Sequence, residues 1–152
     1  MLLFTSAATV RDLEITGHPY TELFISADAK DASFFVYLED VAPDGSVTYI
    51  TEGQLRAAFR KTGNKTTAPY QVVGPYHTFH KEDKAALIPN EVSSLSIAFQ
   101  PISYQIKKGH RLQLSIANAD INHFELTKEK PENIKVFYSK KHPSKLVLPI
   151  TN

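Results

Sequence analysis

Apolar and polar side chains alternate along most of this chain, the period of two that marks a strand with one buried face. Leu95, Ile97 and Phe99 are separated by Ser96 and Ala98, and Leu112, Leu114 and Ile116 by Gln113 and Ser115. Comparable runs cover residues 13–16, 20–27, 34–41, 47–50, 134–138 and 145–150, and the chain enters an apolar, strand-like piece at once. No segment keeps a helical period. The pattern predicts an all-β domain of many short strands, a sandwich or barrel rather than a βα unit.

Turn chemistry separates the runs. Pro43-Asp44-Gly45-Ser46 lies between two strand-like stretches and predicts a hairpin, because Pro presets φ and Gly accepts a positive one. Further breaks fall at Gly17-His18-Pro19, Lys61-Thr62-Gly63-Asn64, Gly74-Pro75, Ile88-Pro89-Asn90 and Lys107-Lys108-Gly109. Residues 54–61 fit two patterns equally: a short helical face of Leu55, Ala58 and Phe59, or a strand continuing from Ile50 through Leu55, Ala57 and Phe59. Residues 62–86, rich in Pro, Gly, Lys and Thr with scattered aromatics, read as a long, partly ordered connection inside one domain.

A chain of 152 residues is the size of one domain, and such a domain buries about 70% of its unfolded surface. The formal charge of +1 provides no field that would select nucleic acid or a membrane surface, and neither is expected as a partner. Absence of cysteine removes disulfides, thiolate metal sites and a cysteine nucleophile together. There is no basic leader and no apolar run of membrane-spanning length, so a soluble chain is expected, with the cytoplasm as its compartment, although a missing leader does not settle export.

Catalytic signals are sparse. None of the 6 glycines opens a Gly-x-Ser-x-Gly elbow, the strained turn that exposes a serine nucleophile beside amide donors. His77-Thr78-Phe79-His80 has metal-ligand spacing only on a helix, since an extended chain puts the two rings on opposite faces; His18, His110, His123 and His142 stand alone. Gly63-Asn64-Lys65-Thr66-Thr67 lacks the Gly-Lys step of a phosphate loop and reads as a polar loop, with an Asn-x-Thr sequon that matters only in a glycosylating compartment. Asp28, Asp31, Glu39, Asp40 and Glu52 could offer oxygens to calcium, but their spacing fits turn formation and pairing with Arg56 or Arg60 better. Tyr70, Tyr76, Phe79 and Tyr104 could stack on a sugar; core packing explains them more simply. No catalytic, cofactor-binding or metal-binding residue is therefore assigned to this chain.

The chain also reads as ordered blocks: Leu3-Phe4-Thr5-Ser6, Asp12-Leu13-Glu14-Ile15-Thr16-Gly17-His18-Pro19, the run from Ser26 through Asp31 with Phe34-Phe35-Val36-Tyr37-Leu38-Glu39-Asp40-Val41 and Pro43-Asp44-Gly45 in the turn, and Tyr49-Ile50-Thr51-Glu52-Gly53-Gln54-Leu55-Arg56-Ala57 followed by Arg60. Pro101-Ile102-Ser103-Tyr104, Gly109-His110-Arg111-Leu112, Leu114-Ser115-Ile116-Ala117 and His142-Pro143-Ser144-Lys145-Leu146-Val147-Leu148-Pro149 follow. In the order and spacing of these blocks the sequence resembles the C-terminal domain of the cocaine esterase and X-Pro dipeptidyl-peptidase family of serine hydrolases. Ser33 and Ile121 depart from the family, where many relatives carry an acidic residue and a proline. The resemblance implies a jelly-roll β-sandwich, galactose-binding-domain-like, spanning residues 1–152 as the C-terminal domain of a larger α/β-hydrolase polypeptide. It implies upstream hydrolase and cap domains as partners, with the Ser-His-Asp triad upstream and none of it here. The domain would then pack on the catalytic domain and help to bound the pocket, through an apolar face near the N-terminal strand and residues 62–86. Other readings are an independent carbohydrate- or ligand-binding jelly roll and a stand-alone homo-oligomeric β protein, the latter needing a large exposed apolar patch.

Overall fold

In the computed structural model, which describes residues 1–120 and 131–151, the alternation becomes two facing β layers. The strands are β1 (Leu2–Thr5), β2 (Leu13–Gly17), β3 (Tyr20–Ala27), β4 (Ser33–Val41), β5 (Val47–Arg56), β6 (Ser93–Ala98), β7 (Ile102–Ile106), β8 (Arg111–Ala117), β9 (Ile134–Phe137) and β10 (Lys145–Val147). The first layer is antiparallel throughout, in the order β1-β8-β4-β5. In the second, β6 pairs one edge of β3, and β10 and β9 pair the other, β10 along its first half and β9 along its second.

The β2-β7 ribbon continues that second layer past a bend. His18 and Pro19 interrupt what is otherwise one strand running from β2 into β3, and the Phe99 amide donates to the Pro19 carbonyl at 3.0 Å across the same bend between β6 and β7. Beyond β10 the chain follows: Thr16 N–H donates to the Pro149 carbonyl at 3.0 Å and Thr151 N–H to the Glu14 carbonyl at 3.1 Å. The product is an all-β jelly-roll sandwich.

Register explains the core. Phe34, Val36 and Leu38 of β4 point inward with Leu55 of β5 and Leu114 and Ile116 of β8, and meet Leu23, Ile25, Leu95 and Ile97 from the other layer. Their alternate neighbours on β4, Tyr37 and Glu39, face outward, as period-two alternation requires. Gln113, outward beside Glu39, donates to its carboxylate at 2.9 Å. Leu114→Ala is therefore expected to lose about 2–3 kcal/mol, the low end for a buried leucine because it already borders open space, while Gln113→Ala loses about 1 kcal/mol with its solvent-side hydrogen bonds to Glu39 and from the Thr5 hydroxyl. Urea titration followed by circular dichroism checks the pair; equal losses would mean the strand is flipped.

The two readings of residues 54–61 each hold for part of the segment. β5 continues through Arg56, and Ala57–Phe59 forms a single 3-10 turn. Ala57 N–H donates to the Ala32 carbonyl at 2.8 Å, which ends the ladder and starts the turn. One strand, β7, went unrecognised in the sequence although Ile102, Tyr104 and Ile106 alternate there with Ser103 and Gln105. Residues 62–86 contain two 3-10 turns, Lys65–Thr67 and Lys81–Asp83, and no strand. They share a groove with the edges of β5 and β6, where the His77 ring reaches the Ser96 carbonyl of β6 at 2.7 Å.

Candidate functional site

The layers close at one side and gape at the other. Along β5, the Gln100 amide donates to the Glu52 carbonyl at 3.0 Å and the Thr51 hydroxyl to the Gln100 carbonyl at 3.1 Å, joining the first layer to the bend of the second. At the opposite side, where β1 is the edge strand, no such bonds span the layers among the described residues, and a cavity of about 290 Å³ opens between β1 and β8 on one wall and β3, β9 and β10 on the other. Phe4 and Tyr138 stand at its mouth in a T-shaped pair 6.2 Å apart. The Lys145 ammonium lies 2.9 Å from Glu22 at the rim, and that carboxylate holds its pKa above the usual lysine value.

A second concentration of polar groups lies in the layer interface. Asp40 sits on the same face of β4 as Leu38 and Val36, buried, and is satisfied by the His110 ring at 2.9 Å and the Tyr104 hydroxyl at 3.1 Å. Burial, with the Asp40 hydrogen bond second, pushes the Tyr104 pKa up. Among the described residues no serine hydroxyl hydrogen-bonds this histidine, so the Asp-His pair lacks the nucleophile a triad requires. Sequence reasoning left His110 isolated. The available signal was parity: a carboxylate in phase with Val36 and Leu38 must find a partner inside.

The other sequence candidates disperse. His77 bridges loop and sheet, its Nε2 2.7 Å from the Ser96 carbonyl and its Nδ1 3.0 Å from the Lys61 carbonyl, while His80 lies 3.6 Å from Glu82. His142 packs on Phe24 and Phe137, and His18 is exposed. Among the described residues no group of three or more His, Cys, Asp or Glu side chains is placed to hold a metal ion. Asn64 accepts from the Thr66 amide at 3.0 Å and caps its own turn. His123 and Ile121 lie outside the described residues.

The carboxylates serve separate local tasks. Asp28 accepts from the Asn133 side chain at 2.9 Å and from the Asn133 and Glu132 amides, bonds that hold its pKa below the ordinary value. Asp31 takes Arg56 at 2.6 Å, as the sequence suggested, whereas Arg60 donates to the Ala57, Ala85 and Ala86 carbonyls. On the outer face of the first layer the Tyr37 hydroxyl donates to Asp120 at 2.8 Å, and burial followed by that carboxylate pushes the phenol up to about 12. Of the four candidate stacking aromatics, Tyr70 and Tyr76 form a T-shaped pair 6.1 Å apart, and they share the groove at the β5 and β6 edges with Phe79. Tyr104 is elsewhere, turned inward to Asp40.

Exposed apolar side chains occur in both segments expected to form one docking face: Leu2, Leu3 and Phe4 on β1, and Tyr70, Val73 and Phe79 in the connection. They do not form one face. β1 and β5 are opposite edges of the same sheet, and the connection lies at the β5 side.

Residues 1–146 match the family of the X-Pro dipeptidyl-peptidase C-terminal non-catalytic domain. The chain belongs to that family. A Mycobacterium bovis protein carrying a serine-esterase name is 43% identical over 150 residues, covering 99% of this chain and 24% of the relative. Cocaine esterase of a Rhodococcus species is 23% identical over 163 residues, covering 99% of this chain and 25% of that protein. The chain thus spans about a quarter of the length of the relatives it matches. Among solved structures, a CocE/NonD family hydrolase of Staphylococcus aureus superposes with a TM-score of 0.81 at 19% identity, covering 99% of this chain and 30% of that one. An α-amino acid ester hydrolase superposes at 0.78 with 17% identity, over 99% of this chain and 25% of that one. Both share the jelly-roll fold of this chain. No helix among its described residues is long and apolar enough to cross a membrane.

Proposed function

We propose that residues 1–152 are the C-terminal sandwich of a longer serine hydrolase, packing beside an α/β-hydrolase catalytic domain and its cap and helping to bound the substrate pocket. The family match across residues 1–146 carries this reading, joined by relatives about four times as long. The parent would cleave an ester or amide through an acyl-enzyme, and this domain would contribute position rather than chemistry. The β1 edge is the proposed docking side: a short apolar strand, paired only with β8 among the described residues, whose free edge carries Leu2, Leu3 and Phe4 without a charge or proline to deter pairing.

The test has two arms. The purified chain is expected to hydrolyse neither activated esters nor X-Pro dipeptide reporters above background and to take no fluorophosphonate label. Adding it to the separately expressed hydrolase and cap portion of its parent should raise that portion's melting temperature as mass action requires. Stoichiometric labelling of this chain would overturn the non-catalytic reading. The Tyr70 and Tyr76 pair beside Phe79 favours one alternative, a carbohydrate-binding module; saturable sugar binding with no effect on the hydrolase portion would establish it instead.

A further inference from the structure

The cavity on the β1 side is a slot built between two sheets rather than a surface dent. Leu112, Leu114 and Ile116 of β8 form one wall, and Leu23, Val136 and Leu146 the other. Its floor reaches core side chains, since Leu23 is 2% and Ile116 4% exposed. The volume of about 290 Å³ is roughly twice that of an engineered apolar cavity able to bind benzene. From Leu112 to Ile116 the wall runs four residues of strand, roughly 13 Å, a length that favours an extended chain over a single ring.

The side-chain polar atoms of Thr21, Ser144, Ser6 and Lys145 around the slot are already committed. Thr21 donates to the Lys145 carbonyl at 2.8 Å, Ser144 accepts the Phe24 amide at 2.8 Å, and Ser6 accepts the Leu112 amide at 3.0 Å while donating to the Ala7 carbonyl. Lys145 is paired with Glu22, so it does not wait for an anion. A polypeptide backbone lodged between the sheets would bring amide and carbonyl groups that these side chains are not free to pair, a costly desolvation. An aliphatic chain brings none and gains the apolar burial.

We infer that this slot is a binding site for a neutral ligand with an aliphatic chain, the chain lying along β8 and a hydroxyl-sized head at the mouth beside Phe4 and Tyr138. The site goes beyond the docking role and does not rest on it, and it is tested on this chain alone. 1-Octanol is titrated into the methyl-labelled 152-residue chain and followed by NMR and by melting temperature. Saturable shifts confined to the six slot methyl-bearing residues are expected, with a rise in melting temperature. Val136→Phe and Leu146→Phe, which fill the slot from a partly buried position, should weaken binding at least ten-fold and abolish that rise. Should either variant fail to fold, the other and the wild-type methyl map decide. Shifts that never saturate, or that spread over the surface, would overturn the inference, as would undiminished binding in a folded filled variant. Slot methyls that ignore octanol but move on addition of the hydrolase portion would overturn it too, by assigning the slot to partner side chains.

Discussion

Gly53→Ala is expected to destabilise the fold by about 3 kcal/mol or more, the upper part of the overpacking range. A Cβ at position 53 would stand 2.2 Å from the Ala98 carbonyl oxygen and 3.0 Å from its carbon, both backbone atoms that cannot rotate aside. Moving β5 away from β6 is no remedy, because the bonds from Gln100 to Glu52 and from Thr51 to Gln100 pin the strands at that point. The control is Gly45→Ala in the hairpin turn, where nothing lies within 4 Å and only the φ of +86° opposes the change; it should lose about 1–2 kcal/mol. Urea midpoints for the two variants measure the difference. A Gly53→Ala loss no greater than that of Gly45→Ala would show that β5 and β6 are not in this contact.

Asp31→Ala is expected to lose about 3 kcal/mol, and most of that loss does not come from the ion pair. Arg56 lies 2.6 Å away, but its side chain is 44% exposed, so the pair itself adds about 1 kcal/mol or less. Most of the loss arises in the backbone: Asp31 Oδ1 accepts the Ala32 amide at 3.0 Å and the Ala58 amide at 3.1 Å, both on buried residues. Truncation leaves two buried donors without an acceptor, about 1–3 kcal/mol each. Asp31→Asn keeps a carbonyl oxygen for those amides and should recover much of the stability, while Arg56→Ala should lose about 1 kcal/mol or less. Thermal melts of the three variants separate the contributions. If Arg56→Ala matches Asp31→Ala, the ion pair dominates and the backbone account is wrong.

These contacts divide by how far apart in sequence their causes lie. Alternation is local, so Leu95 and Ile97 announce the buried face of β6, and Pro43-Asp44-Gly45-Ser46 announces the turn after β4, where Asp44 accepts from the Ser46 amide at 2.9 Å. The absence of a helical period foretold a domain whose only helical pieces among the described residues are 3-10 turns. The ordered blocks from Leu3 to Pro149 sufficed for the family, because they sample strands of both layers in chain order. Asp31 was readable in outline as a turn carboxylate with an arginine partner, but its two amide donors belong to residues 32 and 58, and only the folded chain brings the second one near.

What alternation leaves open is which edges meet. Leu2 pairs Ile116 and Thr21 pairs Ile97, separations over which no local propensity acts. Those pairings close the layers beside β5 and leave them apart beside β1, so the slot, the close approach at Gly53 and the burial of Asp40 against His110 all follow from them. They also send Tyr104 into the interface and Tyr70 to the rim, a difference that composition and spacing do not contain. A strand's own residues specify which face seeks an apolar partner. Which strand supplies it is settled when the burial of all the faces is satisfied together, and the cavities, close contacts and buried polar clusters are the places where that joint solution departs from uniform packing.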